Sequence, residues 1–491
     1  MSFTEEKLEV AKTALTEEDL KNIPAEGIDP ENPGKYKGLL EDLQGNILKG
    51  HGRNYSAHLF LQFKEGKENE VKQWIETFVN DYVTSAKQQS DEAVQYRKTG
   101  ISGTVFANFY LSRIGYEYLG IKPFKFPKDQ PFRFGMKNPS TRDLLGDPPL
   151  DQWEPGYQSE IHALLLIADD DVVDILQTVN FITQKLSKVA EIVHREDGFI
   201  LRNEKGQIIE HFGFVDGVSQ PLFLKRDIAK ARIDNNGFDK WDSRAGLDIL
   251  LEKDRNGQTE DSYGSYLVYR KLEQDTKGFR AKQQELADKL GVNFDLAGAL
   301  VMGRFADGTP VNLSDIPTYS SNTPNNFNYE DDDKGTRCPF HAHTRKTNSR
   351  GDTARLVSNV NFEQSMDTER SHRIARRGIS YGNNDLHAYD SNSPSNQKSK
   401  IPSGLLFLCF QADIENQFNF MQTSWVSQTN FPQPNVGPDP VSAQSDGTQK
   451  WPTKWGSDET IDFNFGRYVK FKGGEYFFAP SISFLKNIQS I

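Results

Sequence analysis

Between Ala57 and Leu201 the apolar residues change their spacing in a fixed order, and that order limits the fold more than any other feature of the chain. The run Ala57 to Phe63 (AHLFLQF) reads as a strand, and Val71, Trp74, Ile75, Phe78 and Tyr82 follow at the spacing of one helix face. Thr104 to Tyr110 and Ile161 to Ile167 read as strands again. Val172, Ile175, Leu176, Val179, Ile182, Leu186 and Val189 return to helical spacing, and the apolar pieces Ile192-Val193 and Phe199 to Leu201 come last. This is the order β-α-β-β-α-β, the split βαβ or ferredoxin-like plan with an antiparallel sheet.

A second round of the same order follows. Tyr266 to Leu272 reads as a strand, Glu273 to Leu290 as a charged helix, and Gly404 to Phe410 as a buried strand. Asp413 to Trp425 reads as helical, and Glu475 to Ala479 as a closing strand. The polar stretches Thr318 to Lys334, Asn383 to Lys400 and Asn430 to Ser457 have the Asn, Ser, Pro and Asp content of loops. The expected architecture is α+β. An arm or short helices over residues 1–40 lie on the body, a ferredoxin-like domain spans 41–205, and a second one with long loops spans 206–491. The repeat is one of element order, not of residues.

Charge and composition narrow the function. With 58 basic against 69 acidic residues the chain is not built to wrap a phosphate backbone, so no nucleic-acid partner is expected. No apolar run approaches the ~18–20 residues that span a bilayer. The opening MSFTEEKLEVAK carries charges where an export signal is apolar, which favours a soluble, cytoplasmic protein. Cys338 and Cys409 alone make no disulfide framework.

Three segments carry candidate chemistry. HFGFVDGVSQPLF, His211 to Phe223, holds Gly213-x-x-Asp216-Gly217; taken alone it is most simply a tight turn. RCPFHAHTRKTNSR, Arg337 to Arg350, brings Cys338, His341 and His343 together, but no second cluster completes a zinc site. SHRIARRGISYG, Ser371 to Gly382, alone reads as a solvated basic turn.

As an ordered set the three resemble the dye-decolourising haem peroxidases. That family carries a GxxDG motif, here Gly213, Asp216 and Gly217; a CPFxAHxRKTN segment, here Cys338 to Asn348; and an RRGxxYG segment, here Arg376 to Gly382. The flanks LQGNILKGHGR, VMGRFADGTP and GGEYFFAPSISFL are also similar, so the resemblance runs from about residue 41 to 487. The insert between Arg226 and Arg337 suggests the large-insert class.

The resemblance implies haem b in the C-terminal half, hydrogen peroxide as oxidant, and dyes, phenols and similar aromatic reductants as substrates. His343 matches the axial iron ligand, and His341 stands where the family usually has a small residue. The carboxylate behind the ligand is Asp413 by its place after a buried strand, with Glu415 and Asp439 open. Asp216 matches the distal acid–base and Arg376 the distal positive charge, with Arg377 as the alternative. Val215, Asp216, Gly217 and Arg376 would all touch the cofactor. An exposed Trp or Tyr would relay electrons to bulky reductants. A haem-handling protein with incidental peroxidase activity is the alternative from another class. A chlorite-dismutase-like enzyme fits less well, because its chemistry needs no distal carboxylate.

Overall fold

The computed structural model describes residues 14–320, 322–356, 360–382 and 402–490. The start of the expected arm and the expected loop from Asn383 to Lys400 lie outside the described residues. In the first half, β1 (Tyr55–Phe63), α1 (Glu68–Tyr82), β2 (Phe106–Leu111), β3 (Ala163–Asp169), α2 (Val172–Leu186) and β4 (Ala190–Phe199) follow in the expected order. The sheet order is β2-β3-β1-β4, antiparallel at every pairing. Strands β2 and β3 are buried along their whole length, since helices cover one face and the second half covers the other.

The second half repeats this order with longer connections. Its elements are β5 (Tyr263–Gln274), α3 (Thr276–Leu290), α4 (Phe294–Met302), α5 (His343–Thr347), β6 (Ile379–Tyr381), β7 (Gly404–Gln411) and β8 (Val469–Ala479). These strands lie in the order β8-β5-β7-β6, again antiparallel. The two sheets close into one barrel through two thin seams. At one, Ser380 and Tyr381 of β6 pair with Phe199 and Gly198 of β4; at the other, Phe478 of β8 pairs with Leu111 of β2. The union is held chiefly by the shared core, where Phe60, Leu61, Leu406, Leu408, Phe410 and Phe477 are fully buried.

The structure changes the expected elements in three places. Glu273 belongs to β5, because it pairs with Gly404 on one side and Lys470 on the other. Helix α3 therefore begins at Thr276, where the Asp275 side chain caps it by accepting the Gly278 N–H at 2.9 Å. The segment after β7 is helical as expected but wound as π-helix, over Glu415–Asn419 and Met421–Val426. Strand β6 lies inside the segment that reads, taken alone, as a basic turn. Three residues are too few for an alternation signal.

The described part of the arm forms a short helix, Glu17–Lys21, and its Leu15, Leu20 and Ile28 are buried in the main core. A second apolar cluster, with Phe279, Leu286, Leu300, Trp451 and Phe465, packs α3 and α4 against the hairpin Gln449–Pro452/Thr460–Phe463. No helix among the described residues is long and apolar enough to cross a membrane.

Candidate active site

Alternation along β5 and β7 splits their side chains between two environments. Leu406, Leu408 and Phe410 enter the barrel core, while Leu405 and Phe407 of β7, with Arg270, Leu272 and Gln274 of β5, face a cavity on the other side of the sheet. That cavity has about 1690 Å³ of empty space, mouth included. Its remaining walls come from the segment Glu210–Ser219, the end of α4, helix α5, the strand carrying Arg376 and the π-helical turns. The wide π turns bring Phe418, Met421, Gln422 and Val426 to the cavity; such turns recur at functional sites.

On one wall, Asp216 follows an aromatic run and is fixed by a turn with positive φ at Gly213 (94°) and Gly217 (77°), a region glycine enters freely. Its Oδ1 accepts the Gly217 N–H at 2.6 Å and lies 3.3 Å from Arg376 Nη1. Arg376 Nη2 donates to Val218 O at 2.7 Å, and the Arg376 N–H donates to Gln220 Oε1 at 3.0 Å. Val215 lines the same wall, and its N–H donates to Ala306 O at 3.1 Å. Gly217 lies between the lining residues Asp216 and Val218, and a Cβ added to it would meet no heavy atom within 4 Å.

His343 opens α5 and also lines the cavity. Its Nδ1 is 2.8 Å from Asp439 Oδ2, which leaves Nε2 for the cavity. Asp439 is buried and further held by the Ser442 hydroxyl at 2.5 Å and the Val441 N–H at 2.7 Å. Burial alone would raise its carboxyl, but His343 and these donors outweigh that and hold it below the ordinary value.

The partner of His343 is thus Asp439, and the expectation of Asp413 is corrected. Asp413 instead accepts the Asn416 N–H at 2.9 Å and caps its own turn. The Glu415 N–H points at Asp129. His341 is fully buried in the second apolar cluster with its ring 4.2 Å from Trp451, and burial pushes it down to about 3. Arg377 does not line the cavity.

One residue of the site carries only a faint local sequence signal. Glu210, three residues before Gly213, is buried and accepts the N–H groups of Phe212 (2.8 Å) and Phe214 (3.0 Å) and the Gln274 amide (2.5 Å). It thereby ties down the turn that carries Asp216; an acid within the apolar run IIEHFGF was the available sign.

Arg304, Arg350 and Arg373 also line the cavity. They are held by backbone carbonyls and by the faces of Phe327 and Trp241. Burial pushes Arg304 down to about 10, Arg373 to about 9, and Arg350 well below its usual range. Of the five arginines in the lining, Arg270 is paired with buried Asp147 and Arg376 with Asp216, while Arg304, Arg350 and Arg373 have no carboxylate at ion-pair distance among the described residues.

Among the described residues, the one group of three side chains spaced to hold a metal ion is Glu154, His194 and Glu196. Lys271 Nζ already lies 2.8 Å and 2.7 Å from its two carboxylates, so an ammonium fills the cation position.

The two ferredoxin-like sheets thus close into one α+β barrel, flanked by an aromatic-walled cavity that the Asp216–Arg376 and His343–Asp439 pairs share. Comparison with known proteins gives the family. Residues 42–200 match the DyP dimeric alpha+beta barrel domain, and residues 331–432 match the Dyp-type peroxidase C-terminal model. The multifunctional dye peroxidase DyP2 of an Amycolatopsis species is 35% identical over 471 residues, covering 93% of this chain and 97% of that protein. The crystal structure of an Anabaena DyP-type peroxidase is similar with a TM-score of 0.92 at 63% identity, covering 97% of this chain and all of the other. A fungal DyP-type peroxidase from Auricularia auricula-judae is similar with a TM-score of 0.74 at 25% identity, covering 92% of this chain and 99% of the other. The chain belongs to the DyP-type, dye-decolorizing peroxidases, a family of haem enzymes.

Proposed function

We propose that the cavity holds haem b and uses hydrogen peroxide to oxidise dyes, phenols and similar aromatic reductants. This goes with an arm to residue 40, a first domain over 41–205 and a haem-bearing domain over 206–491. The observation that carries the reading is that the Asp216–Arg376 pair and the His343–Asp439 pair face the same cavity.

The residues fit the group. Nε2 of His343 is the atom available to iron, with Asp439 strengthening the imidazole from behind as outer carboxylates do. The open space at Gly217 lets backbone meet a flat macrocycle. Arg304, Arg350 and Arg373 supply the positive charge that two propionates would neutralise. Bound there, haem would supply the redox-active iron for chemistry with peroxide.

The chain moves the proton. Oδ1 of Asp216 is held by Gly217 and Arg376, which leaves Oδ2 to take the proton from the inner peroxide oxygen and return it to the outer one. Arg376 then faces the negative charge that grows on the departing oxygen. The side chains of Asp216 and Arg376 are 26% and 34% exposed, toward the cavity that they line.

The test is the optical spectrum and peroxide reaction of haem-loaded protein, with wild type beside Asp216→Asn and His343→Ala. The reading expects a fast spectral change with one equivalent of peroxide in wild type, a slow one in Asp216→Asn, and altered axial ligation in His343→Ala. Wild type that binds haem yet leaves peroxide untouched would make this a haem-handling protein.

A further inference from the structure

Arg377 is excluded from the cavity yet is among the most constrained cations in the molecule. Its guanidinium donates to three backbone carbonyls: Nε to Asn46 O at 2.7 Å, Nη2 to Ile47 O at 2.8 Å, and Nη1 to Arg376 O at 2.8 Å. Its own N–H donates to Leu408 O at 2.7 Å. Asn46 has φ of 68°, and this left-handed bend offers two successive carbonyls to one guanidinium. The bend is itself braced. The Asn46 N–H donates to Gln89 Oε1 at 2.9 Å, Asn46 Oδ1 accepts the His51 N–H at 3.1 Å, and the Gln89 amide donates to Lys49 O and Gly50 O.

Arg376, by contrast, is loosely held at its tip. One short bond to Val218 O and one contact of 3.3 Å to Asp216 are its side-chain anchors. Where its guanidinium sits therefore depends on how firmly its backbone is fixed. Arg376 sits opposite Cys409 at the edge of β7, and there Gln220 takes its N–H while the Arg377 guanidinium takes its carbonyl.

We propose that Arg377 is a positioning residue for Arg376, clamping the peptide that carries it to the Asn46–Ile47 bend of the first half. The proposal rests on the reading of Arg376 as the distal charge. It means that the first half of the chain, whose described residues contribute no side chain to the cavity wall, sets the geometry of peroxide activation. The planar fork of arginine is required, because an ammonium is a point charge that cannot hold three carbonyls in one plane.

The test uses haem-loaded wild type, Arg376→Lys, Arg377→Lys, Arg377→Gln, Asn46→Gly and Asn46→Val. It reads the affinity of ferric protein for fluoride ion, kcat and KM for peroxide, KM for one dye, and Tm. Both Arg377 variants are expected to lose about tenfold in fluoride affinity and in kcat/KM for peroxide, the scale of a displaced electrostatic donor, with the dye KM unchanged. Asn46→Val, which strains a positive φ, is expected to repeat that loss, and Asn46→Gly to show a smaller one. A lower Tm in the Arg377 variants with fluoride affinity and peroxide kinetics unchanged overturns the positioning role. If Arg376→Lys is itself unaffected in both readouts, the reading of Arg376 fails first and this proposal falls with it.

Discussion

Replacing Glu210 by glutamine should flatten part of the pH dependence of folding, by an amount the structure allows to be worked out. Burial is the main influence on this carboxyl and raises it. Three donated hydrogen bonds pull it back, nearby Asp216 raises it further, and the balance stands at about 7 against an ordinary 4.5. Between those values the folded chain keeps a proton that the unfolded chain has released. Stability therefore falls as pH rises through this window and is level above it. At roughly 1.4 kcal/mol per tenfold change in proton affinity, the loss is about 3 kcal/mol.

The substituted glutamine cannot ionise. Its amide can donate to Gln274 Oε1, a buried oxygen without a hydrogen-bond partner, while its single oxygen accepts one of the two turn N–H groups that the carboxylate oxygens take separately, and the lost bond is a pH-independent cost. The assay is urea unfolding of wild type and Glu210→Gln from pH 4.5 to 8. Asp129 and Glu369, also raised by burial, to about 7 and about 6, are common to both proteins, so the difference curve isolates Glu210. It should shift by about 3 kcal/mol in favour of the variant between the ends of the range. A flat difference curve would refute the argument, because it would mean that Glu210 binds its proton no more tightly folded than unfolded.

Asp216→Asn should slow the reaction with peroxide by roughly 10²–10³-fold, read by stopped-flow absorbance. Asp439→Asn should weaken haem retention or peroxide activity by about 10–100-fold, read by haem transfer to an acceptor protein and by turnover. Gly217→Val places a branched side chain at φ of 77°, so stability should drop by about 1–3 kcal/mol and haem uptake should fall, read by denaturation and haem titration. Arg345 joins Asp332 and Asp352 in a fully buried network. Arg345→Met should destabilise by about 3–5 kcal/mol, because buried Asp332 loses its close arginine partner while Asp352 keeps only Arg355, measured by the urea midpoint.

Long, strongly periodic elements were legible in the sequence. β1 and β3 show as continuous apolar runs, α1 and α2 each bury one face whose apolar spacing shows directly, and their order defines the fold of the first half. The rest was not legible for identifiable reasons. β6 is three residues long and sits among charges, and the start of α3 depends on cross-strand pairing rather than on local preference. At the site, motifs placed Asp216, His343 and Arg376 in one cavity because each lies in a dense local signature. Asp439 lies 96 residues from His343 in a polar loop, so only the folded chain reveals that pairing. Glu210 and the clamp at Arg377 act through backbone groups, so residue pattern shows at most a lone acid in an apolar run and not what it holds.

The narrow seams of the barrel have a further consequence. Strand β6 joins the two halves through two residue pairs, and it follows directly on the residues that carry Arg376 and Arg377. A joint so short opens locally at lower cost than the sheets on either side of it. Amide exchange at Ser380 and Tyr381 will then report on what occupies the cavity. A guest gripped by β7, to which β6 pairs from Ile379 to Tyr381, is expected to slow that exchange, and an open joint would then loosen the guest by the same free energy, since such coupling is reciprocal.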